Sequence, residues 1–200
     1  MENVKILQKL SNYNTYLLDL INAINKQDQN TIIQVFNKID EELMEIRKKM
    51  SVTTERSQKM WNDPEVHFRA VQAEEVSDLR MEFDDDLGLF QLASLINYKP
   101  VMTIEFVKMI QILSDIRQRT SIRKERSKVY WSDPESHFKG VQQEWAEDLK
   151  NEVTDLMSLY NIAKTSNYTE GIELITSRLN AIAPNLTDSL ISKNDGGIRK

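Results

Sequence analysis

One phrase occurs twice in this chain. "ERSQKMWNDPEVHFRAVQAEE" begins at Glu55, and "ERSKVYWSDPESHFKGVQQEW" begins at Glu125, seventy residues later. A fixed period longer than any single element means that one supersecondary unit is built more than once and stacked on itself. The copies extend beyond the phrase. "LLDLINAINK" from Leu17, "LFQLASLINY" from Leu89 and "LYNIAKTSNY" from Leu159 fall in equivalent slots. The period divides the chain into units over residues 17–86 and 87–156 and a partial third over 157–190. These form a single domain, 1–190, followed by a tail at 191–200.

Apolar spacing sets the content of each unit. Ile32, Phe36, Ile39, Leu43, Ile46 and Met50 step by four and three, and Met102, Phe106, Met109, Leu113 and Ile116 repeat the stripe. That is a helical seam with a coiled-coil-like period. Leu7, Leu10, Asn14, Leu17, Ile21 and Ile24 form a stripe in the first helix. Phe68, Val71, Leu79, Phe83, Leu87 and Phe90, and then Phe138, Val141, Trp145, Leu149, Val153, Leu156 and Tyr160, continue the pattern. Five glycines and four prolines leave few places to break a helix. Helices are predicted near 3–26, 30–60, 64–97, 101–130, 134–166 and 168–182, with Pro184 ending the last. The fold class is therefore all-α: an elongated up-and-down bundle or array of tandem long helical hairpins, about six helices, with no sheet.

The phrase has a structural reading. Pro64 and Pro134 suit the first helical position, where the missing amide has no intrahelical partner. Asp63 and Asp133 before them are candidate caps. Glu65 and Glu135 fall in the first turn, where the helix dipole favours an anion. Trp61 and Trp131 are placed to pack on Phe68 and Phe138 across the corner.

Packing alone does not account for the rest. Residues 55–82 and 125–152 share fifteen of twenty-eight positions, whereas 31–54 and 101–124 share six of twenty-four. Ten of the fifteen are polar. One explanation is pairing inside each hairpin: folding back near Asn62 sets Arg47 opposite Glu74 or Asp78, and Arg117 opposite Glu144 or Asp148. The other is a partner gripped by matching patches. Its candidate contacts are Trp61, Glu65, His67, Phe68 and Gln72, with Trp131, Glu135, His137, Phe138 and Gln142.

Several functions are disfavoured. A net charge of −5 argues against a whole-protein grip on nucleic acid, although "SIRKERSK" around Arg123 is locally basic. With no cysteine there is no disulfide, thiol nucleophile or thiolate metal site. His67 and His137 are the only histidines, and Glu65-Val66-His67 fails the Glu-x-x-His spacing of carboxylate-bridged metal bundles. No nucleophile elbow, phosphate loop or dinucleotide fingerprint is present. The opening "MENVKILQKLSNYN" has no long apolar run, so no signal peptide is expected, and no stretch is apolar enough for a membrane span. A cytoplasmic location is expected, with no catalytic residue, no cofactor and no metal.

At "WNDPE" and "WSDPE" the chain resembles the N-terminal helical domain of the UGA-reading bacterial peptide chain release factors. In that family Trp-x-Asp-Pro-Glu separates two antiparallel helices. The matching positions are Trp61, Asp63, Pro64 and Glu65, and again Trp131, Asp133, Pro134 and Glu135, over about 50 residues per unit. The catalytic Gly-Gly-Gln motif and the codon-reading domain are absent, and the hairpin is doubled. The resemblance implies a helical hairpin and an association with the translation machinery, not release activity.

The expected function is that of a non-enzymatic helical binding or scaffold protein acting through protein–protein contacts at the pole with the two W-x-D-P-E turns. The alternatives are a ribosome- or RNA-associated translation accessory factor and a carboxylate–histidine metal-binding bundle. No membrane partner is expected, and a homo-oligomer is left open.

Overall fold

A computed structural model describes residues 15–50, 64–120 and 134–182, with the side chains of 49–50, 64–70, 134, 136 and 137 left undescribed. Among the described residues there are six helices and no strand. They are α1 (residues 15–25), α2 (Gln29–Met50), α3 (Pro64–Leu95), α4 (Lys99–Thr120), α5 (Pro134–Thr165) and α6 (Thr169–Ile182). The all-helical class is as the sequence predicts. Pro64 and Pro134 stand at the first positions of α3 and α5. Trp61, Asp63, Trp131, Asp133 and Pro184 lie outside the described residues.

Three corners recur at seventy-residue intervals, at 26–28, 96–98 and 166–168. In each, the middle residue is left-handed: Gln27 has φ 55°, Asn97 52° and Asn167 51°. Its amide reaches three residues back, from Gln27 to Ile24 O (3.0 Å), Asn97 to Ser94 O (3.0 Å) and Asn167 to Lys164 O (3.2 Å). The next amide reaches five back, from Asp28 to Ala23 O (2.9 Å), Tyr98 to Ala93 O (2.8 Å) and Tyr168 to Ala163 O (2.8 Å). This pair of bonds is a Schellman cap, which satisfies carbonyls that the helix end leaves open. Asparagine enters the left-handed region more easily than most residues. The following helix starts at once: Asp28 accepts from the Thr31 amide at 3.1 Å and from its hydroxyl at 2.6 Å, and these bonds hold the Asp28 carboxyl below its usual range.

The corners sit beside one another. Tyr98 donates its hydroxyl to Gln29 O at 3.4 Å, and Lys99 pairs with Glu170 at 2.6 Å. The core gathers behind them as one cluster drawing on all six helices, from Leu20 and Ala23 through Phe36, Phe90 and Phe106 to Leu159, Ile175 and Leu179. Ala23, Ala93 and Ala163 are all buried at the carbonyls that close the corners. Tyr168 stands edge-on to Phe90 (5.7 Å) and Phe106 (5.4 Å), and its hydroxyl lies 2.9 Å from Thr103 Oγ1. Its ring presses on α6, where a Cβ at Gly171 would come within 2.4 Å of it. Glycine is needed there for close approach, not for backbone freedom.

Helix α3 packs along α4, and α5 along α6. Further contacts join α2 to α3 and α4 to α5. α3 and α4 run antiparallel: Lys108 reaches Asp86 near the corner, and Arg119 reaches Glu75 far from it.

Two expectations are corrected. The buried face of α1 carries Leu20 and Ala23, whereas Leu17 and Ile21 of the predicted stripe are exposed. With Leu20 and Ala23 turned to the core, the helical period carries Leu17 and Ile21 out to solvent. The register of the hairpins also differs. Arg47 reaches Asp85, and Arg117 reaches Asp155 at 2.5 Å with Glu152 at 4.0 Å. Core packing near the corners sets the level of these helices, not a symmetric fold-back at Asn62.

Candidate functional site

The two copies of the phrase do not share one environment. Gln72 is half-buried and donates from Nε2 to Arg119 O at 3.0 Å, so it ties α3 to the last turn of α4. Gln142, its counterpart on α5, is exposed. Glu135 is exposed in the first turn of α5 and pairs with Lys139 at 2.8 Å. Phe138 is 61% exposed. The side chains of Glu65, His67, Phe68 and His137 lie outside the described set, although their backbones are in the first turns of α3 and α5.

Phe138, Gln142, Trp145 and Leu149 step by four, three and four along one face of α5. All four are exposed, and Trp145 is 62% exposed, although the spacing predicts a place for it in a buried stripe. At the matching positions of α3, Gln72 and Leu79 are half-buried and Glu75 is exposed. There Gln72 and Glu75 both engage Arg119, the latter at 3.2 Å from Nε, and Val76 is buried. Seventy residues on, Ala146 is exposed and Trp145 replaces Glu75. The last two turns of α4 close this face on α3.

A second constellation lies inside the bundle. Asp86 on α3 is 1% exposed and Glu105 on α4 is 5% exposed. Lys108, one turn after Glu105, sits among three carboxylates. It lies 3.0 Å from Asp40 Oδ2, 3.0 Å from Glu105 Oε2 and 3.9 Å from Asp86 Oδ1, and bonds with good geometry to Asp40 and to Glu105 Oε1 at 3.3 Å. Asp86 Oδ2 is a buried acceptor with no hydrogen-bond donor, and buried Glu105 Oε2 has only the Lys108 ammonium near it, outside good hydrogen-bond geometry. Burial pushes the Asp86 carboxyl up to about 7, helped by Glu105, Asp40 and Glu82 and opposed by Lys108. Burial also raises Glu105. Burial pulls Lys108 down, but its bonds to Asp40 and Glu105 outweigh this and hold it above its ordinary value.

The sequence carries a signal of this cluster. Glu105 interrupts an apolar stripe, and the residues seventy positions to either side are Val35 and Ile175, both buried. Asp86 likewise corresponds to buried Leu156.

Two other features are quieter. A polar cleft of about 270 Å³ opens between the second and third corners, lined by Ser94, Asn97, Lys99, Thr165 and Asn167 among others. Its one cation, Lys99, is already held by Glu170. Among the described residues no group of three or more carboxylate, histidine or cysteine side chains could hold a metal ion, and no helix is long and apolar enough to cross a membrane. No protein-family model matches the chain, and neither does any curated protein or solved structure.

Proposed function

We propose that the chain is a non-enzymatic binding protein that holds one amphipathic helix of a partner protein on the first half of α5. A single observation carries the reading: Phe138, Gln142, Trp145 and Leu149 are all exposed on α5, while at the equivalent positions of α3 Gln72 and Leu79 are half-buried and Gln72 and Glu75 engage Arg119 of the chain's own α4. The fold thus supplies a template for the missing occupant. That occupant is a helix with an apolar stripe and an arginine near its C-terminal end, running antiparallel to α5, as α4 runs along α3.

Chemistry supports the same choice. Glu135, Glu147, Asp148 and Glu152 outnumber Lys139 and Lys150 on this half of α5. Where Glu75 takes Arg119 on α3, Trp145 offers an aromatic face to a guanidinium. Burying each large apolar side chain contributes roughly 1.5–3 kcal/mol, and such anchors concentrate binding energy.

The probe is a labelled peptide of residues 104–120, which carries the α4 stripe and its terminal arginines. Fluorescence anisotropy against the whole chain should show saturable binding, weakened at least tenfold in a Phe138→Ser/Trp145→Ser variant of unchanged helicity. No binding, or equal binding to the variant, overturns the proposal. If sedimentation shows a dimer that the variant dissolves, the occupant is a second copy. If ending the chain after Ile182 strengthens peptide binding, the occupant is the chain's own C-terminal segment. Either result overturns the partner assignment.

A further inference from the structure

Asp86 and Glu105 occupy positions that the fold fills elsewhere with hydrocarbon. Leu156 stands seventy residues after Asp86, and Ile175 and Val35 flank Glu105 by the same interval, all of them buried in the one core. The corner, the helices and the packing form without acids at these positions, so the helical unit itself does not demand them. Burying carboxylates is costly unless each is paired, and here one ammonium serves three.

We propose that Asp86 and Glu105 form a buried proton-binding site, and that the packing of α3 on α4 is tight only while the pair holds one proton. Glu105 and Asp86 converge on one ammonium, 3.0 Å and 3.9 Å from Lys108 Nζ. Asp86 Oδ2 has no donor, and Glu105 Oε2 has only the shared Lys108 ammonium, at 3.0 Å. One proton between them satisfies the pair, and it leaves one negative charge to share Lys108 with Asp40. The facing groups are Asp40 from α2, Glu82 on α3 and Lys108 on α4. With both acids ionised, two buried carboxylates and the half-exposed Asp40 share the one half-exposed ammonium, and like charges in one site cannot all stay ionised cheaply.

The sign follows from linkage. Asp86 releases its proton near pH 3.8 when unfolded and near 7 when folded. Its contribution is fully present below about pH 3.8 and is lost as pH rises through about 7. Across that window the folding constant falls by up to about tenfold per pH unit from this site. The state in which α3 and α4 are held together is thus the protonated one, and alkaline pH loosens the middle of the bundle first.

Carbon-13 spectra of aspartate-labelled whole chain read the site directly. One carboxyl resonance, removed by Asp86→Asn, should titrate with a midpoint near neutrality. Asparagine keeps a donor for Glu105 without a titrating proton. The ratio of wild-type to Asp86→Asn folding constants, from urea melts between pH 5 and 8.5, should therefore fall as pH rises. A midpoint near 4 for Asp86 overturns the proposal, as does a ratio that does not change with pH. Should the variant fail to fold, assignment of the resonance through its backbone in the wild type keeps the midpoint decisive.

Discussion

Arg117 on α4 donates from Nη1 to Asp155 Oδ2 on α5 at 2.5 Å. Seventy residues earlier Arg47 on α2 holds Asp85 on α3 in the same way. Both pairs are partly buried and both span thirty-eight residues. One clamps α2 to α3 and the other α4 to α5.

Arg117→Met should lower stability by about 1–2 kcal/mol, because it leaves a partly buried carboxylate without its charged donor. The double variant with Asp155→Asn should recover part of the loss, and a coupling of about 0.5–2 kcal/mol is expected from urea melts. Zero coupling would mean the pair is held in place by the helices and holds nothing itself.

Gly171→Ala should destabilise the chain by about 1–3 kcal/mol through overpacking. Alanine is the better helix former by about 1 kcal/mol, so propensity alone gives the opposite sign. The added Cβ would meet the Tyr168 ring at 2.4 Å and Ala163 Cβ at 3.2 Å. A melting temperature at or above the parent's would show that the ring can yield.

Gln27→Gly should stabilise the first corner by about 0.5–1 kcal/mol, since a side chain in the left-handed region carries strain that glycine lacks. Asn97→Gly and Asn167→Gly should change stability less, because asparagine tolerates that region better. Equal gains at all three corners in thermal melts would contradict this ranking.

Lys108→Met should cost about 3–5 kcal/mol at neutral pH, since it strips the one cation from three inward carboxylates. The loss should shrink as pH falls below the raised Asp86 value of about 7, where protonation relieves the repulsion. Melts at pH 5 and 8 check the direction, and a loss that is larger at pH 5 would reverse it.

Trp145→Ser and Phe138→Ser should each leave stability within about 0.5 kcal/mol, as expected for exposed positions. A larger loss in urea unfolding would place these rings in the core.

Much of the architecture was legible beforehand. Scarce glycine and proline and the stripe Ile32, Phe36, Ile39, repeated as Met102, Phe106, Met109, specify helices on which the structure buries these six residues, with Val35, Val101, Glu105 and Ile112 beside them. Prolines 64 and 134 mark helix starts because only that position tolerates a missing amide. These are local or periodic constraints, and a sequence displays them openly. The Schellman corners were visible only as breaks, since a cap without glycine leaves a weak compositional trace.

The candidate site was less legible. Of the duplicated polar letters, Gln72 is spent inside the bundle while Gln142 faces outward, although the surrounding phrase is shared. A residue's neighbours along the chain do not say whether another helix continues far enough to cover it. Leu17 and Trp145 are stripe members by spacing, as Ile24 and Leu156 are, yet both are exposed while Leu156 is buried and Ile24 packs against the core. The amino acids alone determined that long helices would form, where they start and which period they keep, because these depend on backbone hydrogen bonds and apolar spacing within a segment. Only the tertiary structure decided which faces close, which carboxylates share Lys108, and which apolar stripe stays in water, because those depend on the level at which separate helices pack.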